Sequence, residues 1–88
     1  MGGDDPERDM AGVVRAVLAY LRARPSAIDS ARGIQEWWLA GHEPPAHALL
    51  VLQALDRLEQ TGQVRRIVNP DGTMLFAAGP RLDDDDDA

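Results

Sequence analysis

The stretch that decides the fold lies near the carboxyl end of the chain, where residues 64–77 read VRRIVNPDGTMLFA. Residues 64–68 have the β-branched composition of a strand, and residues 73–77 predict the strand that returns. The four residues between them, NPDG at 69–72, form a strong turn sequence. Proline fixes φ at the second position of such a turn, and glycine accepts a positive φ. We therefore predict a two-stranded β-hairpin here.

The first segment with helical periodicity begins near Met10. Apolar residues recur on one side of a helix as far as Leu21, which predicts an amphipathic helix that ends at about Arg24. Asp9 is expected to be its N-cap, because a carboxylate accepts hydrogen bonds from the first free amide groups. Pro25 cannot continue the hydrogen-bond ladder and ends the helix.

The second helix is expected to be capped by Asp29 or Ser30 and to end near Ala40. A short extended link precedes it, and its Ile28 is expected to point inward. Glycine inside a helix costs about 1 kcal/mol relative to alanine. Gly33 therefore indicates a close approach by the first or third helix.

The prolines of the turn at 43–45 are expected to pre-set the first turn of the third helix, which is predicted to end near Gln60 or Thr61. Its spacing predicts a core stripe of five residues: Ala48, Val51, Leu52, Leu55 and Leu58. The residues predicted to face outward are Ala46, His47, Leu50, Gln53, Ala54 and Arg57. This outward set is short of cations.

Charge divides unevenly along the 88 residues, whose formal net charge is −6. Residues 1–9 carry −3 and residues 79–88 carry −4, whereas residues 10–78 carry +1. A run of like charges repels itself, so we expect disordered acidic tails at 1–9 and 79–88 around one folded domain, 10–78. The aspartates at 83–87 are expected to aid solubility or to mask a basic surface.

Three helices, a short strand between the first two and a hairpin after the third are the order of a winged helix-turn-helix domain, which residues 10–78 resemble. Residues 29–39, DSARGIQEWWL, also resemble a run found in short bacterial winged-helix proteins of unassigned function. The resemblance implies an α+β fold. It further implies that the third helix lies in the DNA major groove with the wing on phosphates, or that the domain docks a protein.

Two functions follow from this resemblance. We prefer a non-catalytic module that docks a protein partner through the third helix, an exposed tryptophan and the wing. Its expected apolar patch is Trp37, Trp38, Leu39, Leu49 and Leu50, with one tryptophan in the core and the other partly exposed. The alternative is a small DNA-binding regulator whose contacts would be Arg32, His47, Gln53, Arg57, Arg65 and Arg66. Both a monomer and a homodimer stay open.

Catalysis and metal binding have little support in the sequence. His42 and His47 are five residues apart with two prolines between them, so they cannot share one helical face as a zinc pair does. The absence of cysteine excludes disulfides and thiolate metal sites. We expect no enzyme, no cofactor and no metal site. A cytoplasmic protein without a membrane contact is expected, because no apolar stretch is long enough to span a bilayer.

Overall fold

The computed structural model describes residues 6–43 and 45–84. The described chain is α+β, with three helices and one three-stranded antiparallel sheet. The helices are α1 (Pro6–Ala23), α2 (Ala31–Gly33, continued by a π-helical segment, Ile34–Trp38) and α3 (Ala48–Gln60). The strands are β1 (Ile28–Asp29), β2 (Val64–Val68) and β3 (Met74–Ala78), in the sheet order β1-β3-β2.

Helix α1 begins at Pro6, about one turn earlier than expected. Proline suits the first helical position, because the amide hydrogen that it lacks would have no partner there. Asp9 consequently lies inside the first turn, where its charge suits the helix dipole, and the expectation that it caps the helix is wrong. Residues 6–9 of the expected acidic tail are therefore helical, and residues 1–5 lie outside the described residues.

Helix α2 is capped by Ser30, as predicted, since its Oγ accepts a hydrogen bond from the Gly33 amide at 3.1 Å. The helical turns end at Trp38 and not near Ala40, and their last part is a π-helix. In this wider turn the Leu39 amide donates to the Ile34 carbonyl, five residues back. The turn places Ile34, Trp38 and Leu39 together in the core.

The junction of β1 and α2 corrects two expectations. A Cβ at Gly33 would overlap the carboxylate of Asp29, so the close neighbour is this side chain and neither of the other helices. The same carboxylate accepts a hydrogen bond from the Ser30 amide at 2.8 Å. Ile28 is more than half exposed and does not point inward, because β1 is a short edge strand that pairs only with β3.

The rotation of α3 about its axis also differs from the prediction. Its buried residues are Val51, Ala54, Leu55 and Leu58, whereas Leu52 is 45% exposed. Ala54 is fully buried, and α3 packs against α1. Apolar residues occupy more of the surface of α3 than one buried face can hold, so their spacing did not determine the rotation. As a result, Ala54 lies in the core and Leu52 faces solvent.

The start of α3 is set by a histidine cap. His47 precedes the helix, and its Nδ1 accepts a hydrogen bond from the Leu50 amide at 3.2 Å. Pro45 therefore lies ahead of the helix and not in its first turn. Gly62 follows the other end with a φ of 82°, a backbone conformation that favours glycine and commonly ends a helix.

The predicted hairpin is confirmed, with β2 at the predicted residues and β3 one residue later than predicted. Val68 lies opposite Met74, and Arg66 lies opposite Phe76. The turn closes through the Asn69 amide, which donates to the Thr73 carbonyl at 2.9 Å. The short strand between the first two helices is confirmed as well, because β1 pairs antiparallel with β3.

The packed part of the chain extends past the expected boundary at residue 78. Leu82 is buried in the core, and its carbonyl accepts a hydrogen bond from Nη2 of Arg22 at 2.9 Å. The buried side-chain amide of Gln63 donates to the Asp84 carbonyl at 3.1 Å. Residues 79–84 therefore belong to the folded unit, and the remaining four residues of the expected tail lie outside the described part of the chain.

The rotation of α3 can be tested by two leucines three positions apart. We expect Leu55→Ala to lower the free energy of unfolding by about 2–5 kcal/mol, because it leaves a cavity in the core. Leu52→Ala should lower the free energy of unfolding by less than about 1 kcal/mol, because Leu52 is exposed. Urea unfolding followed by circular dichroism measures both values. A larger loss for Leu52 than for Leu55 would contradict the rotation.

Candidate functional site

The solvent-facing side of α3 is apolar at its centre. Leu49 is 60% exposed, and Leu52, three residues later on the same side of the helix, is also exposed. Gln53 and Asp56 are exposed beside them. At 3.6 residues per turn these four residues lie opposite the buried stripe of the helix. We call them the α3 outer face.

A groove runs between α2 and α3 next to this face. Its volume is about 270 Å³, and its lining residues are Ala31, Arg32, Gln35, Glu36, Ala48 and Leu52. Two alanines keep the groove open, and Leu52 belongs both to the groove and to the α3 outer face. The Gln35 side chain donates to the Ala46 carbonyl at 3.0 Å, which ties the loop before α3 to the π-helical segment. The groove can therefore take an apolar side chain from a partner.

Nearby acidic side chains form ion pairs with two of the arginines that were expected to contact phosphates. Arg32 pairs with Glu36 through Nε and Oε2 at 3.1 Å, and Arg66 pairs with Glu59 at 2.6 Å. The Arg66 guanidinium also lies over the ring of Phe76, 5.9 Å from its centroid. Exposed ion pairs add little to stability, about 0–1 kcal/mol each. They do lower the positive charge that these two arginines present to a phosphate.

The other expected DNA contacts do not form a continuous basic surface. Arg65 donates from Nε to the Ala78 carbonyl at 3.2 Å, and the His47 ring caps α3. Gln53 and Arg57 are exposed on α3, and no acidic side chain of the described residues pairs with Arg57. The structure thus leaves one uncompensated guanidinium on α3 itself.

The expected apolar patch is divided by the fold. Trp38 stacks on Tyr20 with ring centroids 4.7 Å apart, and both Trp38 and Leu39 are buried in the core. Leu50 is half-buried and packs against the core. These three residues are therefore unavailable as the centre of a contact surface, because the π-helical turn and the rotation of α3 direct them inward. Trp37 and Leu49 remain exposed, with 69% of Trp37 open to solvent.

Besides Ile28, sequence reasoning missed three exposed apolar residues. The helical spacing places Leu52 in the core, although the run of four apolar residues at 49–52 indicates that some must lie outside it. Val68 and Met74 face each other across the hairpin near its turn, and both are exposed. Their apolar character at the tip of a short hairpin is a signal that the sequence does contain.

A second cavity, of about 490 Å³, lies between α1 and the loop that leads to α3. His42 and His47 both line it, together with basic and acidic residues of α1. Within residues 6–43 and 45–84, no three histidine or acidic side chains are placed so that they could hold a metal ion. The mixed charges of this cavity give it no preference for one class of ligand.

Comparisons of the chain with protein-family models, with curated proteins and with solved structures gave no match. Among the described residues, no helix combines the length and the apolar character needed to cross a membrane. The features from which a function can be inferred are therefore the α3 outer face, the groove and the hairpin.

The hairpin turn carries a negative charge where a DNA-binding wing would carry a positive one. Hydrogen bonds from the Thr73 amide, at 3.0 Å, and from the Thr73 hydroxyl, at 2.7 Å, stabilise the ionised Asp71 carboxylate. They hold the pKa of Asp71 below its ordinary value of 3.8. Asp71 thus stays charged at any pH near neutrality and opposes a phosphate at the turn.

We expect a carbon-detected NMR titration to place the pKa of Asp71 below 3.8. Thr73→Val removes the hydroxyl donor but keeps the amide donor, so it should raise that pKa part of the way. Because the pKa of Asp71 is lower in the folded chain than in the unfolded chain, the ionised carboxylate stabilises the fold at pH values above the unfolded-state pKa. This stabilisation is lost as the pH falls through the folded-state pKa. An Asp71 pKa above 3.8 would show that the two bonds are not formed.

Proposed function

We propose that the chain is a non-catalytic winged-helix module that docks a protein partner through the α3 outer face and the groove beside α2. The order of its elements supports the winged-helix assignment. A hairpin follows the third helix, and a short strand between the first two helices joins that hairpin in one sheet. Such folds serve both DNA and protein recognition, so the function must be argued from the surface.

The exposure of Leu49 and Leu52 on α3 carries the proposal. Leucines in this position gain little from DNA, where apolar contacts are confined to thymine methyl groups. Transfer of their exposed parts into a protein interface gains on the order of 1 kcal/mol for each side chain. The adjoining groove adds a concave site for an apolar anchor of the partner, which is how interface hot spots are commonly built.

The DNA alternative rests on Arg57 and Arg65, for which the described residues provide no acidic partner. Two phosphate contacts would give a weak and only slightly salt-dependent complex, since the salt slope scales with the number of neutralised phosphates. Asp56 and Asp71 are exposed on α3 and at the hairpin turn, and both repel phosphates. The balance of charge therefore favours a protein partner.

Affinity capture from nuclease-treated lysate of the source cells tests this proposal. The tagged protein should retain a defined partner after the nuclease treatment. The double variant Leu49→Asp/Leu52→Asp should lose that partner while it keeps the native circular dichroism spectrum, because both side chains are exposed.

The matched control is Ile28→Asp, which places the same charge on an exposed apolar residue of β1, outside the α3 outer face. It should leave capture unchanged. Capture that disappears with nuclease and depends on Arg57 would support the DNA alternative instead. Equal loss of the partner in both variants would show that the contact is not specific to α3.

A further inference from the structure

The outer edge of β2 is an unpaired sheet edge. The Gly79 amide donates to the Gln63 carbonyl and the Asn69 amide to the Thr73 carbonyl, each at 2.9 Å. Hydrogen-bonded pairs alternate along an antiparallel ladder, so Arg65 and Ile67 direct their amide and carbonyl groups toward β3. The intervening residues of β2 direct theirs away from the sheet.

This edge is open near the hairpin turn. In the sheet order β1-β3-β2, β2 has a neighbour on one side only. Arg66 and Val68 are exposed, and among the described residues no backbone group bonds to them from the outer side. Val64 is buried, so the accessible part of the edge lies at residues 66–68. It offers two amide hydrogens and two carbonyl oxygens.

The side chains around the open edge are apolar on both faces of the hairpin. Val68 and Met74 form an exposed pair on one face, and Ile67 and Leu75 form a half-buried pair on the other. Toward the base of the hairpin, Arg65 is exposed without an acidic partner among the described residues. Arg66 lies on the opposite face, paired with Glu59.

Two-fold pairing with a second copy of the chain brings no acidic residue of β2 opposite its two arginines. An antiparallel pairing centred on Arg66 or on Arg65 places that residue opposite its own copy, and one centred on Ile67 places Arg66 opposite Val68. Like charges directly opposite one another destabilise a strand pair. Charged residues on an exposed edge commonly protect it against such self-association.

We propose that the edge of β2 accepts an extended segment of a partner protein as a fourth, antiparallel strand, with two apolar residues followed by two acidic residues. The apolar residues lie opposite Val68 and Ile67. The acidic residues lie opposite Arg66, which already pairs with Glu59, and opposite Arg65, which supplies the uncompensated charge. The main-chain bonds supply the attachment, and the side chains select the sequence, as in other cases of strand addition. This surface is separate from the α3 outer face and does not rest on the function proposed for it.

The probe is the synthetic peptide acetyl-TVVEET-amide, titrated into the full chain and followed by NMR. Binding should slow the hydrogen exchange of the Arg66 and Val68 amides and leave the already paired Arg65 and Ile67 amides unchanged. N-methylation of the first glutamate, which lies opposite Arg66, should abolish binding. N-methylation of the second valine, whose amide points away from β2, should leave binding unchanged.

The charge preference is tested by reversal. Arg65→Glu should weaken binding of the peptide about fivefold, and a peptide with lysines in place of its glutamates should regain affinity for that variant. Arg57→Glu carries the same charge change on α3 and should have no effect. Leu49→Asp/Leu52→Asp should bind the peptide normally, which separates this proposal from the one for α3.

Three outcomes would overturn the proposal. The first is exchange at Arg66 and Val68 that the peptide leaves unchanged. The second is equal binding of the two N-methylated peptides. The third is protection of the same two amides that rises with the concentration of the protein alone, which would assign the edge to a second copy of the chain.

Discussion

The packing of α3 against α1 is the constraint on which the functional surface depends. The stripe that faces the core includes Ala54, which is completely buried. An alanine in the core lets two helix backbones approach closely, and that approach fixes the rotation of α3 about its axis. Once this rotation is fixed, Leu49 and Leu52 face solvent and the groove beside α2 forms.

Local chemistry made several elements predictable from the sequence. The NPDG turn and the β-branched residues at 64–68 determine the hairpin, because each acts over a few residues. The same is true of the Ser30 cap, which needs only the amide three residues ahead. These features depend on the immediate neighbours of a residue and not on the rest of the fold.

The parts that could not be predicted depend on tertiary contacts. The apolar spacing of α3 allows more than one rotation, and the packing of α3 against the rest of the fold selects between Leu52 and Ala54 for the core. The π-helical turn that buries Leu39 beside Trp38 leaves no mark in the hydrophobic pattern. Residues 79–84 read as an acidic tail, but Leu82 and the carbonyl of Asp84 complete the core around Gln63.

Most arginines of the described chain make contacts within the protein, although their number suggests a surface that binds phosphates. Arg22 holds the C-terminal segment, Arg32 and Arg66 pair with nearby acids, and Arg24 lies over the Tyr20 ring. Most of the cations that could contact phosphates are thus engaged within the protein. The α3 outer face and the β2 edge offer apolar contacts and main-chain hydrogen bonds instead. These features support the proposal of a protein partner.

The most direct test of this account is the solvent accessibility of methyl groups on α3, measured by NMR with a soluble paramagnetic agent. The account predicts strong relaxation enhancement for the Leu49 and Leu52 methyl groups and almost none for the Ala54 methyl group. Protection of Leu52 together with strong enhancement at Ala54 would contradict it, because α3 would then present a different face to solvent.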